Sequence, residues 1–201
     1  MTDIRHGEKM IVVRLFLSVL ILIFSFQSWT KADDISDIEI EGISIGESLL
    51  NHFSEKEILE SLNKDYYDST DFIKVEFWNF TPTEYEVISA HIKNNDKMYL
   101  VYELSGNIIY KDNIDECYSQ QKIIIKELSK SFPNAKHLDS GRQTTERSGG
   151  VSSWDRYDLS FTNGSVDIIC YNWSSESGFL DHLSVGINSK EFAEWLRSQP
   201  Y

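Results

Sequence analysis

Basic residues are scarce in this chain, and so are cysteine, proline and long apolar runs. Its 201 residues hold 19 Lys or Arg against 32 Asp or Glu, a net charge of −13. Such an acidic chain repels phosphate backbones, and no basic stripe relieves the repulsion. That argues against nucleic acid as a partner and, for the same reason, against anionic membrane surfaces. Three prolines and no low-complexity tract leave no obvious linker. The two cysteines, Cys117 and Cys170, are not in C-x-x-C spacing, which speaks against a redox-active pair. His52, His91, His137 and His182 stand singly, without the H-x-H or H-x-x-x-H spacing of a metal site. The stretch "KDNIDE" lacks the glycine and closing glutamate of a calcium loop. No G-x-S-x-G occurs. No catalytic residue, metal or cofactor is expected from these patterns.

The one apolar run lies near the start. Arg5, Lys9 and Arg14 precede "LFLSVLILIFSF", residues 15–26, and "QSWTKA" follows with Thr30 and Ala32 at small-residue cleavage positions. A basic region, a short apolar region and a cleavage site make residues 1–32 a signal peptide. Twelve residues are short for a membrane span, which needs about 20; an uncleaved anchor is the alternative. Met10 offers a second possible start. Cleavage would remove four basic residues (Arg5, Lys9, Arg14, Lys31) and two acidic ones (Asp3, Glu8), taking the charge from −13 to −15. Residues 33–201 then suit a single domain able to bury its own core, with no stable membrane span after cleavage.

Within that domain the order of elements reads helix, strands, long helix, strands, short helix, with a hint of a weak repeat. Ile45, Leu49, Leu50 and Phe53 recur at helical spacing, and Ser54 with Glu57 has capping-box form for a helix over 55–62. Strands are predicted over 73–80, 85–93, 97–104 and 107–110, with turns at 81–84, 94–96 and the Ser-Gly-Asn of 105–107. "DNIDECYSQQKIIIKELSKSF", residues 112–132, reads as an amphipathic helix. Acids fill its first turn, Cys117, Gln121, Ile124 and Leu128 form its apolar stripe, and Pro133 stops it. The polar, Gly/Ser-rich 137–153 reads as a loop or hairpin tip. Three more strands follow, the first two joined by a hairpin at Asn163-Gly164, and then a short helix with Asn188 and Glu191 at capping-box spacing. The fold class expected is α+β: an antiparallel sheet of about seven strands, or two small sheets, with helices packed on one face.

Alternation puts Cys170 on the face of its strand shared by Val166 and Ile168, and Cys117 faces inward from its helix. In an exported protein the two can pair, although a helix on a sheet often sits too far away for the roughly 7 Å that a disulfide allows. A Cys117–Cys170 disulfide and two separate buried thiols both stay open at this point. Asp181, His182 and Ser184 invite a triad reading, but neighbours on a strand point to opposite faces, so Asp181 cannot orient His182 directly. Trp78, Trp154 and Trp173 lie on or beside strands; they are either packed core aromatics or an outward binding face. Three Asn-x-Ser/Thr sites, at Asn79, Asn163 and Asn172, matter only in a eukaryotic host.

"IEGISIGESLL", "IDECYSQQKIIIKELSKSF" and "CYNWSSESGFLDHLSVGINSKEFAEWL" resemble a group of small exported proteins of unknown function from marine alphaproteobacteria. The resemblance covers most of residues 33–201. It implies a bacterial source and a periplasmic location, makes the glycosylation sites irrelevant, and carries no functional residue. The arrangement also looks like small periplasmic inhibitor and assembly-factor domains. The expected function is therefore a non-enzymatic module that binds another protein or an envelope component. The alternatives are a small-molecule or sugar-binding protein and, third, an envelope hydrolase.

Overall fold

The structure is a computed structural model that describes residues 34–63, 71–78, 84–111, 113–146 and 150–199. The expected signal peptide 1–32, residues 79–83 with most of the turn expected at 81–84, and Asp112 lie outside the described residues. Among the described residues the strands are β1 (Glu39–Ile40), β2 (Ile43–Ser44), β3 (Leu62–Asn63), β4 (Phe72–Trp78), β5 (Val87–Lys93), β6 (Val101–Ile109), β7 (Lys136–Thr145), β8 (Ser152–Phe161), β9 (Gly164–Asn172) and β10 (His182–Ser189). The α-helices among them are α1 (Glu55–Glu60), α2 (Ile114–Ser131) and α3 (Lys190–Ser198). Eight strands form one sheet in the order β3-β4-β5-β6-β10-β9-β8-β7, and β1 with β2 forms a separate hairpin. All pairings are antiparallel. The large sheet is thus two meanders, β3 to β6 and β7 to β10, joined through their last strands.

The fold is α+β with an antiparallel sheet, and the choice between one sheet and two is settled in favour of a large sheet beside a small hairpin. Several local expectations hold. Ser54 and Glu57 form the reciprocal capping box of α1. The long helix spans Ile114–Ser131, with Cys117, Gln121 and Ile124 buried. Phe161 pairs with Gly164 across the tight β8–β9 turn. Gly164 is required there, because a Cβ would run into the carbonyl oxygen of Asn188.

Other expectations need correction. The helical spacing of Ile45, Leu49, Leu50 and Phe53 yields only a single 3-10 turn, at Leu49–Asn51. Glu41 and Gly42 before it both take positive φ and close the β1–β2 hairpin. Ser105-Gly106-Asn107 is no turn: β6 runs straight through it, paired to β5 on one side and β10 on the other. Gly106 serves a close approach instead, since the ring of Tyr85 occupies the space a Cβ would need. Residues 137–153 are mostly strand. β7 and β8 pair from Lys136↔Ser160 to Thr145↔Ser152, with a bulge between Asp139 and Gly141. The last helix is capped by Ser189, which accepts from the Phe192 N–H, while Asn188 belongs to β10.

The sheet has an inner and an outer face. The inner face carries Val75, Ile88, Ala90, Leu104, Leu159, Val166, Ile168, Leu183, Val185 and Ile187, all buried. α2 lies on this face. Its first turn is tied to the sheet by the Cys117–Cys170 disulfide, with Cα atoms 6.0 Å apart. The Gln121 side chain, buried within the helix stripe, donates to the carbonyls of Asp155 (2.8 Å) and Ile168 (3.0 Å). α3 lies on the other side. Phe192 packs on His91 and Phe72, residues whose side chains leave β5 and β4 on the outer face. The helices are therefore split between the faces rather than gathered on one.

Candidate binding face

The register of the strands lays out the outer face as rows. One row runs Lys74, His91, Glu103, Asn188, Ser165 and Ser160 from β4 across to β8. The next is Glu76, Ser89, Ser105, Gly186, Asp167 and Asp158, followed by Trp78, Val87, Asn107, Ser184, Ile169 and Arg156. The last full row is Ile109, His182, Tyr171 and Trp154. Adjacent strands stand about 4.8 Å apart, so neighbours along a row touch.

Charges on the first rows are paired with each other. His91 Nδ1 lies 2.5 Å from Glu103 Oε2, both buried beneath α3. Lys74 Nζ lies 2.8 Å from Glu76. The Arg156 guanidinium donates to Asp158 from two nitrogens, at 3.0 and 2.7 Å, and to Asp167 at 3.2 Å. Asn188 Nδ2 also donates to Asp167, at 3.2 Å. Burial pushes the Asp167 carboxyl up to about 6, against the pull of Arg156. Burial also opposes the Arg156 cation, but its bonds to Asp158 and the two carboxylate charges outweigh that and raise its pKa. Asp167 lies over Gly186 of the adjacent strand, where any Cβ would collide with it. Opposite charges two residues apart on one strand, as in Arg156 and Asp158, were a readable signal for this network.

Beyond the polar rows the face ends in aromatics. Tyr171 stacks on Trp173 (centroids 5.4 Å, planes 6° apart) and on His182 (4.8 Å). Phe179 leans on Trp173 at 4.9 Å. His182 is held below its usual pKa, mainly by burial, and its Nδ1 sits 2.8 Å from the Leu180 carbonyl. Asp181 does not orient His182; it accepts the backbone N–H of Trp173 at 2.7 Å.

The three tryptophans singled out from the sequence are thus partly gathered. Trp154 sits beside Tyr171 in register, and Trp173 stacks on Tyr171. Trp78 stands apart at the end of β4, 60% exposed. Sequence reasoning missed the apolar residues that complete this end of the sheet, Phe179 (62% exposed) and Leu180 (48%), which lie in the β9–β10 connection. Among the described residues no group of three or more His, Cys, Asp or Glu is arranged to hold a metal ion. No described helix is long and apolar enough to cross a membrane. Comparison with protein families, with curated proteins and with solved structures returns no match.

Proposed function

We propose that this chain is an exported, non-enzymatic module that binds a protein or envelope component at the aromatic end of its outer sheet face. The observation that carries the reading is the exposure of Phe179 and Leu180 beside the Tyr171–Trp173–His182 stack, at the β9–β10 end of the outer face. Exposed apolar groups collected in one place are the usual mark of a contact surface. Export is supported by the Cys117–Cys170 bond, because disulfides persist in oxidising compartments such as the periplasm.

The test is capture from an envelope extract with the immobilised protein and its Phe179→Ala/Leu180→Ala variant. Both substitutions are at exposed side chains, so the variant should melt within a few degrees of the parent. A band retained by the parent and lost by the variant supports the reading. Identical recovery by both contradicts it.

One observation favours a second reading, a sugar or small-molecule site. The Tyr171–Trp173 stack borders Asn107, Ser184 and Arg156, so flat rings adjoin hydrogen-bonding groups. A native-state ligand must raise the melting temperature, and a neutral-sugar and metabolite panel that moves it nowhere removes this alternative.

A further inference from the structure

We infer that the outer face is a concave trough whose floor, on β5, β6 and β10, binds an uncharged polyhydroxylated ligand, a sugar ring or short oligosaccharide, between Ser105 and Ser184. The inference rests on the sugar reading above and gives that ligand a place and a charge state.

The curvature follows from two residues that register keeps apart. Lys74 and His182 stand three strands and six residues from each other. On a flat sheet, with strands about 4.8 Å apart and a rise of about 3.3 Å per residue, their Cα atoms would be ~24 Å apart. The Lys74 charge nevertheless reaches His182, where it joins burial, the larger cause, in holding the imidazole below its usual pKa. The twist and coil of the sheet therefore bring β4 and β10 toward each other across the outer face. Side-chain burial agrees. Lys74 and Glu76 are only 15% and 25% exposed, although β3 beyond them is two residues long. From the opposite side Asp167 leans inward over Gly186.

Side-chain size follows the same plan. The central strands present Ser89, Ser105, Asn107, Ser184 and Gly186 to this face. The flanking strands β4 and β8 present Lys74, Glu76, Trp78, Trp154, Arg156 and Asp158. Small residues between large ones make a floor between walls. Among the described residues the side chains of Ser89, Ser105, Asn107 and Ser184 make no hydrogen bond, and Ser89 is buried to 1% exposure. Buried hydroxyls gain from a ligand that supplies the missing bond. His182 adds an acceptor: the Leu180 carbonyl can only accept, so Nδ1 carries the proton and Nε2 is left with its lone pair.

The charges around the floor decide the ligand's own charge. Lys74 is paired with Glu76, His91 with Glu103, and Arg156 with Asp158 and Asp167. An anion would have to displace a carboxylate from Lys74 or Arg156, and a cation would have to displace the guanidinium. Either exchange leaves a partly buried charge without its partner. Hydroxyl groups donate to the carboxylates and accept from the cations without breaking any pair. The Tyr171–Trp173 stack bounds the floor with apolar ring surface, which suits the C–H side of a sugar ring.

The probes are maltose, cellobiose and N,N′-diacetylchitobiose, with glucuronate and glucosamine as anionic and cationic controls. Each is titrated into the ¹⁵N-labelled, disulfide-bonded protein and followed by amide chemical shifts. The expected result is saturable binding of a neutral sugar, with shifts centred on Ser105, Asn107, Ser184 and Gly186, and at least about tenfold weaker binding of both charged controls. Ser105→Leu/Ser184→Leu fills the floor and should cost about tenfold or more, whereas Phe179→Ala/Leu180→Ala, at the exposed end, should stay within about threefold. Near-ultraviolet circular dichroism on each variant confirms the fold; Asn107→Ala, which adds no bulk, carries the same expected loss should the leucine variant not fold. Failure of every neutral sugar to bind, tighter binding of a charged control, or full affinity in the floor variants overturns the inference. A sugar that raises the melting temperature while the floor variants keep full affinity leaves the sugar reading standing and refutes this floor. An unmoved melting temperature together with unmoved shifts refutes both.

Discussion

The two faces of the large sheet are built from the same strands and alternate residue by residue, yet they do different work. The inner face is apolar, sealed by α2 and locked by a disulfide and a buried glutamine. The outer face is polar, pairs its own charges, and is covered by α3 only around His91 and Phe72. Cys170 and Tyr171 are consecutive, so the crosslink stands directly behind the aromatic platform. Rigidity is concentrated on one side of the strand and half-buried ring surface on the other. The difference teaches that the inner face is scaffold, and that a functional surface should be sought where scaffold demands end.

This contrast can be broken from the inside first. Replacing Cys117 and Cys170 by Ala opens a loop with a sequence separation of 53 and should cost about 4 kcal/mol of unfolding free energy, read by urea denaturation of parent and variant. Leu183→Ala, fully buried opposite Cys170, should cost about 3 kcal/mol in the same assay.

The outer face should respond to pH instead. The folded carboxyl of Asp167 titrates near 6, above its ordinary 3.8. The native state therefore binds this proton more tightly than the unfolded chain. Its stabilising contribution is full below about pH 4 and is lost as pH rises through about 6. The stability of the parent relative to Asp167→Asn should fall by about 2 kcal/mol between about pH 4 and pH 7. A difference that stays flat, or rises with pH, would mean Asp167 is held charged by Arg156. The smallest effect on stability belongs to the exposed end of β4: Trp78→Ala should change unfolding by no more than about 0.5 kcal/mol.

How far the sequence revealed this arrangement follows from how local each signal was. The capping box at Ser54 and Glu57, the stripe of α2 and the Asn163-Gly164 hairpin each lie within a few residues, and all three are present. The Cys117–Cys170 geometry was accessible because alternation assigned both thiols to one layer. β6 was broken in two by a Ser-Gly-Asn signal that only its neighbours override: β5 and β10 pair with it on both sides, and Tyr85 needs the glycine. β7 looked like a loop because an edge strand exposed along most of its length carries no apolar alternation. The candidate site was only partly legible. Its tryptophans stood out by residue type, whereas the Arg156–Asp158–Asp167 group depends on registers between strands.

The division of labour between the faces is tested most directly by amide hydrogen exchange on the protein with and without the partner captured from the envelope extract. New protection should appear at the ends of β6 and β9, at the start of β10, and through 173–181, while the inner-face helix α2 keeps its unbound exchange pattern. Protection centred on α2 or on the β7 edge, with the aromatic end unchanged, would place the working surface elsewhere and contradict the account.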